Sequence, residues 1–250
     1  MSIKVTVLGD SHGKLTVTGT TEPNMANTHT PTTNATGQIG WQQSAINLHN
    51  SDCLEALRTF KDNQFDLCIA DPPYGLAESG AHTHISGTRK LYSDKMKDWD
   101  KRPSQQYFDQ IRRVSKNQIV FGMNYFMDML PPSRCFIVWD NCNRGLSFSQ
   151  AELAWASFPQ MSKVFKHSSS NPNRIHRCQK PVPLYMWLLK TYAPKGSTIL
   201  DTHLGSGSIA IAVHEMPDME YTLTGYEINT DYYNNAVNRL HLYQNQLKLF

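Results

Sequence analysis

An apolar strand, a glycine-rich turn and the start of a helix follow one another without interruption near the C-terminal end of this chain. They are Thr198-Ile199-Leu200-Asp201, then Thr202-His203-Leu204-Gly205-Ser206-Gly207, then Ser208-Ile209-Ala210. Glycines in such a turn let a ligand approach the backbone, and the helix that follows offers unpaired N–H groups at its first turn. Gly207 is followed by only 43 of the 250 residues. That is room for a helix, a strand and a helix, but not for a whole nucleotide-binding sheet. The other strands must precede the loop, so the sheet is circularly permuted relative to one that begins at its glycine loop.

Upstream, strand and helix patterns alternate. Ala45 to His49 reads as a short strand, and Asp52 caps a helix carrying Leu54, Leu57 and Phe60. Phe65 to Ala70 is a continuous apolar run, as expected of a strand buried on both faces. Helices are predicted over Pro103 to Ser115, Ser149 to Ala156, Val182 to Tyr192, Ser208 to Glu215 and Asp231 to Gln244. Strands are predicted over Gln118 to Gly122, Cys135 to Trp139, Met161 to Phe165, Ser197 to Leu200 and Tyr221 to Tyr226. This alternation predicts an α/β fold: a mostly parallel, Rossmann-like sheet with helices on both faces. Residues 1–40 stand apart as an N-terminal extension. Lys4 to Leu8 and Leu15 to Thr18 suit a hairpin, and Thr20 to Gly37 is a Thr/Asn/Pro-rich flexible linker with little to bury. Residues 41–250 form the main domain.

Composition excludes several classes. Aromatic residues at 10% argue against general disorder. The longest apolar stretch, Gln118 to Leu130, contains Asn124 and Asp128 and is too short for a bilayer span. The first residues lack the apolar core of a secretory signal. Five cysteines (Cys53, Cys68, Cys135, Cys142 and Cys178) with no C-x-x-C pair read as reduced, mostly buried thiols rather than a disulfide frame or a zinc site. Trp139, Trp155 and Trp187 read as core. The net charge of +3 says less than its distribution. No Asp or Glu lies between Glu152 and Asp201, an interval holding Lys163, Lys166, Arg174, Arg177, Lys180, Lys190 and Lys195. A second basic run spans Arg89 to Lys116, while the last fifty residues are acidic. Such asymmetry suits one phosphate-facing side.

Two carboxylates narrow the ligand of the glycine loop. Glu227 ends the next strand, twenty residues beyond Gly207, where an acid can accept hydrogen bonds from ribose hydroxyls. Asp201, at the strand end before the glycines, would repel a pyrophosphate and suit a cationic ligand. An adenosine carrying a sulfonium and an ammonium, S-adenosylmethionine, fits better than NAD.

Asp71-Pro72-Pro73-Tyr74 follows directly on the buried run Phe65 to Ala70. In an open α/β sheet that is the carboxyl edge, where ligands bind. Each proline forces its predecessor into an extended conformation and removes an N–H donor. The product is a rigid turn presenting a carboxylate, carbonyls and an aromatic ring. Asp71 and the Pro72 carbonyl can accept the two N–H groups of an exocyclic amine, which draws the nitrogen lone pair out of ring conjugation. Tyr74 offers a face for a base, worth about 1–3 kcal/mol. A base within a duplex must be flipped out to reach it.

With D-P-P-Y first and the glycine loop late, the chain resembles the permuted (β-type) DNA amino-methyltransferases of adenine N6 and cytosine N4. The resemblance covers roughly residues 45 to 245. His176 to Val182 is similar to the family's H-x-x-Q-K-P-V segment, which implies that Lys180 and Pro181 help hold the methionine part of the cofactor. Asn50 to Leu54 resembles a segment whose acid, here Asp52, lies near the cofactor, though Asn50 replaces the usual glycine. Glu227, Tyr232 and Arg239 resemble a further family run. His203 stands where the family has an aromatic residue against the cofactor, and the resemblance implies that Asp201, Gly205, Ser206 and Gly207 of the same loop contact the cofactor with it.

The resemblance implies the family's S-adenosyl-L-methionine-dependent fold and a transfer of methyl to N6 of a flipped-out adenine in double-stranded DNA. Asp71, Pro72, Pro73 and Tyr74 would be the catalytic set, with no metal. Cytosine N4 remains the alternative within the class, since D-P-P-Y is only commoner among adenine enzymes; an RNA amine is a more distant one. A binding protein on a decayed methyltransferase scaffold is the alternative outside it. Residues 75–101, with His82, His84, Arg89, Lys90, Tyr92 and Trp99, and residues 141–178 are expected to face nucleic acid. No insertion is long enough for a separate target-recognition domain, so recognition is short, relaxed or shared across a homodimer. The resemblance also implies a bacterial or phage-encoded protein acting on DNA in the cytoplasm, in a restriction–modification setting.

Overall fold

The computed structural model describes residues 4–9, 15–20, 45–76, 100–143, 149–169 and 178–245. Strands β1 (Lys4–Gly9) and β2 (Leu15–Thr20) pair antiparallel as a two-stranded sheet, Lys4 opposite Thr20 and Gly9 opposite Leu15. The turn between them and the expected linker beyond Thr20 lie outside the described residues.

The main sheet has eight strands: β3 (Ala45–Asn50), β4 (Phe65–Ala70), β5 (Ser115–Phe121), β6 (Cys135–Asp140), β7 (Ala151–Ala156), β8 (Lys163–Lys166), β9 (Thr198–Asp201) and β10 (Thr222–Glu227). Their spatial order is β3-β10-β9-β4-β5-β7-β6-β8. Every pairing is parallel except the two made by β7, which runs antiparallel between β5 and β6. The helices are α1 (Cys53–Thr59), α2 (Gln105–Val114), α3 (Val182–Tyr192), α4 (Ser208–His214) and α5 (Thr230–Asn245).

Alternation along the strands assigns the helices to two faces. Leu67 and Ile69 of β4, Ile119 and Phe121 of β5 and Ile199 of β9 share a core with Leu184 and Leu188 of α3, Ile209 and Val213 of α4 and Leu240 of α5. Cys68, Ala70, Val120 and Leu200, their immediate neighbours in sequence, pack on the other face with Leu57 of α1 and Tyr107, Phe108 and Ile111 of α2. Helix α2 buries positions 107, 108, 111 and 114, the spacing of one helical face. Asp52 caps α1 by accepting the Leu54 N–H at 2.8 Å, and α3 begins after Pro181 with Pro183 in its first turn. Trp139 and Trp155 are buried, and Trp187 packs against the core in part.

One expectation fails. Ser149 to Ala156 is not a helix: Ala151–Ala156 is β7, with Ala154 opposite both Phe121 and Ile137. The segment is rich in good helix formers, but it is hydrogen-bonded to a strand on each side, and such a partnership overrides a weak local preference. The thiols are mixed in exposure: Cys68 and Cys135 are buried, Cys142 and Cys178 exposed, and all five cysteines are free. Among the described residues no helix is long and apolar enough to cross a membrane.

Neighbouring strands β9 and β4 send the chain in opposite directions, β9 to β10 and β4 to β5. The crossovers part there and leave a crevice at the carboxyl ends of the strands. Asp66 ties the far ends of the same two strands, its Oδ2 accepting the Thr198 N–H and hydroxyl, each at 2.9 Å.

Candidate active site

The crevice is a cleft of about 430 Å³. Its walls are the turn after β4 (Asp71 to Tyr74), the turn after β5 (Gly122, Asn124 and Tyr125), Glu152 and Leu153 of β7, Lys180, the loop His203 to Ser206, and Glu227 to Asn229 with Tyr232. Four of these stretches leave parallel strands at their carboxyl ends, so sheet topology alone brings together residues more than a hundred positions apart.

Asp71 is held from two sides. Its Oδ1 accepts the Tyr74 hydroxyl at 2.8 Å. Its Oδ2 accepts a hydrogen bond from the Lys180 ammonium, which also lies 3.3 Å from Glu152 Oε2. The Lys180 side chain is 2% exposed, and its Nζ sits 4.4 Å from the centroid of the Phe121 ring. Burial alone would push the ammonium towards neutrality. The charges of Asp71 and Glu152 offset this and hold its pKa above the ordinary lysine value.

The Tyr74 ring stacks on Tyr125, with centroids 4.7 Å apart and planes 17° from parallel, and meets Phe126 edge-on. Burial, then the neighbouring charge of Asp71, push its hydroxyl well above the usual tyrosine range, so it stays a donor. Arg102 donates to the Tyr125 carbonyl through Nε at 3.1 Å and Nη2 at 2.8 Å, fixing that ring's backbone. Asp100 Oδ1 accepts the Gly75 N–H at 2.9 Å and anchors the end of the Asp-Pro-Pro-Tyr turn.

The glycine loop is braced by Glu227. Its Oε2 accepts the Gly205 N–H and its Oε1 the Asn229 N–H, both at 2.9 Å. Burial raises the Glu227 carboxyl, and these N–H groups pull it back. A carboxylate has about four lone-pair positions, so acceptor capacity remains for a ligand. Arg239 donates to the Ser206 carbonyl at 2.9 Å, and the Ser208 hydroxyl to the Lys180 carbonyl at 2.7 Å. Gly207 has a φ of +70°, and a Cβ there would lie 3.0 Å from the Ala236 Cβ, so glycine permits both the turn and the close approach of α5.

Of the expected site residues, Asp71, Pro72, Pro73, Tyr74, Lys180, His203, Gly205, Ser206 and Glu227 line one cleft. Asp52, Pro181, Asp201 and Gly207 are not among its lining residues. Asp52 serves as the cap of α1, and Pro181 is the residue before α3. Asp201 is buried and accepts the His203 N–H at 2.9 Å. Burial pushes its carboxyl up to about 8. Burial likewise lowers His203 to about 4, which keeps its ring neutral. Its Nδ1 lies 3.0 Å from the Thr202 hydroxyl, which is 2.6 Å from the hydroxyl of Tyr107. Asn50, at a family glycine position, donates to the Glu227 carbonyl at 2.8 Å and accepts the Thr230 hydroxyl at 2.9 Å.

Sequence reasoning missed Glu152, Asn124, Tyr125 and Asn229. Asn229 could have been found from its place two residues after Glu227. Glu152 could not, because it was read onto a helix. Residues 77–99, 144–148 and 170–177, which include most of the expected nucleic-acid-facing side chains, lie outside the described residues.

The charges on the cleft wall favour one kind of ligand. Among the described lining residues the acids are Asp71, Asp100, Glu152 and Glu227, against the single cation Lys180. Such a wall suits a cationic nucleoside and disfavours a pyrophosphate.

Residues 131–238 match a family model described as DNA methylase (N6_N4_Mtase). Among solved structures, the chain is similar to the PvuII DNA methyltransferase (cytosine-N4-specific), with 14% identity, 79% of this chain and 87% of that chain covered, and a TM-score of 0.54. It is also similar to a Thermus thermophilus protein, TTHA0409, assigned as a DNA modification methylase and solved with S-adenosyl-L-methionine: 14% identity, coverage of 81% and 97%, TM-score 0.50. These likenesses carry the fold. Asp71 to Tyr74 lie outside the matched stretch, which does hold Lys180, the glycine loop and Glu227. The resemblance read from the sequence is thereby borne out: over residues 131–238 this chain matches the DNA methylase family.

Proposed function

We propose that this protein is an S-adenosyl-L-methionine-dependent DNA methyltransferase that acts on the exocyclic N6 of a flipped-out adenine. The observation that carries the reading is the convergence of the Asp71-Pro72-Pro73-Tyr74 turn with the glycine loop and Glu227 on one cleft. Residues from Gly205 to Ser206 with Glu227 to Asn229 would hold the nucleoside part of the cofactor, Glu227 using its remaining acceptor capacity on ribose hydroxyls. The predominantly acidic wall near Asp71 suits its cationic end. When bound, the cofactor supplies an electrophilic methyl group on sulfonium.

The chain's own residues do the rest by position. Asp71 and the Pro72 carbonyl accept the two N–H groups of the target amine, which turns its lone pair out of conjugation. Pro72 and Pro73 keep that pair of acceptors rigid, so little reorganisation is needed when the amine arrives. Tyr74 donates to Asp71 and keeps the carboxylate aimed. Holding amine and methyl in line is worth several kcal/mol of barrier, on the order of what oriented intramolecular reactions achieve.

The test is mass spectrometry of nucleosides from unmethylated DNA incubated with the protein and cofactor, with Asp71→Ala alongside. N6-methyladenine that disappears in the variant is the expected result. N4-methylcytosine would overturn the choice of base and keep the chemistry. No methylated base in either single- or double-stranded DNA would overturn the reading.

A further inference from the structure

Lys180 is a buried cation with two carboxylates, and only one of them belongs to the Asp-Pro-Pro-Tyr turn. The ammonium bonds Asp71 Oδ2 and stands 3.3 Å from Glu152 Oε2. It arrives on the residue before Pro181, while Glu152 arrives from the antiparallel strand β7. Glu152 lines the cleft and is 36% exposed, whereas the Lys180 side chain is 2% exposed. The Phe121 ring lies against the ammonium, with the centroid 4.4 Å from Nζ.

This arrangement bears on how Asp71 works. An ammonium on Oδ2 withdraws negative charge from the carboxylate and weakens it as an acceptor for an arriving amine. Yet a buried ammonium cannot simply leave its counterion. A second carboxylate within reach removes the conflict: the cation can lean towards Glu152 as the amine takes its place on Asp71, and it is paired throughout. We propose that Glu152 is a positioning residue that acts through Lys180, sharing the ammonium so that Asp71 can accept the target amine. The inference rests on the methyltransferase reading above and adds to it a residue on a different strand.

The test is Glu152→Gln, which keeps shape and removes the charge. In steady-state methylation of DNA, kcat is expected to fall about 10- to 100-fold, as for outer-shell partners that orient a functional group, by more than any rise in KM for S-adenosyl-L-methionine that the lost wall charge causes. Glu152→Asp should recover part of the loss. In a Lys180→Met background the same Glu152→Gln change should alter kcat less than about twofold, because the route through the ammonium is gone. An unchanged kcat in Glu152→Gln, a change in KM alone, or an equal loss in the Lys180→Met background would each overturn the proposal. A parallel arm needs no substrate. In urea unfolding, Glu152→Gln should shift the folding equilibrium differently in the wild-type and Lys180→Met backgrounds, and equal shifts overturn the shared ion pair. A wild-type protein that methylates no base fails the first reading instead, and the unfolding arm tells the two failures apart.

Discussion

Gly122→Ala tests whether the cleft depends on a close approach that only glycine permits. Gly122 closes β5 with a φ of +72°, and a Cβ there would lie 2.3 Å from Tyr74 Cε1 and 2.8 Å from Cδ1 and Cζ. Two costs therefore add. An L-residue in the left-handed region costs about 1–2 kcal/mol. Forcing a methyl into a filled space costs about 1–3 kcal/mol more. Tyr74 cannot yield freely, because it is stacked on Tyr125, edge-on to Phe126 and bonded to Asp71. The sum is about 2–5 kcal/mol of lost stability, a large share of the 5–15 kcal/mol of an ordinary domain. The two costs separate in a cycle with Tyr74→Ala. In that background the clash has no target, and Gly122→Ala should cost only the backbone part, about 1–2 kcal/mol. Urea unfolding followed by circular dichroism reads the difference. With a slope near 2 kcal/mol/M, a coupling of about 2 kcal/mol appears as a midpoint difference of about 1 M. Equal midpoint shifts in the two backgrounds would refute the steric argument and leave only backbone strain.

Two further outcomes follow from the buried carboxylates. Asp201 has its carboxyl raised to about 8 from an ordinary 3.8, chiefly by burial. Folding therefore favours its protonated form, a contribution present below pH 4 and lost as pH rises towards 8. Asp201→Asn keeps an oxygen for the His203 N–H and removes that loss, so its stability relative to wild type should rise between pH 4 and pH 8 by a few kcal/mol on the order of the shift; a difference that does not change with pH refutes this. Glu227→Gln replaces one acceptor with an NH₂ that faces the N–H of either Gly205 or Asn229. Binding of S-adenosyl-L-methionine, measured by calorimetry, should weaken about 10- to 100-fold, the scale of a lost hydrogen bond to a charged group. An unchanged Kd would place the ribose elsewhere.

What could be read from the sequence was what local chemistry decides. β4, the second half of β5 and the centre of β9 announce themselves as apolar because they are covered on both faces, and two prolines after a buried strand make a rigid turn. Asp71, Tyr74, the glycines and Glu227 sit at fixed offsets from their strands, so each was found together with its strand. The errors begin where a partner distant in sequence decides. Ala151-Glu152-Leu153-Ala154 carries helix-forming residues, and nothing within it reveals that β5 and β6 will flank it. A helix there would leave open which way Glu152 points. A strand in this register puts Glu152 opposite Trp139 and beside the cleft. The same limit applies to Lys180, which its motif assigned to the cofactor. Its ammonium also reaches Asp71, 109 positions earlier, which the motif does not convey. A buried charge is explained by its counterions, and counterions are chosen by topology. The part of the site that a motif cannot convey is thus the electrostatic part: which carboxylates share the buried ammonium of Lys180, and how much of Asp71 that leaves for a substrate.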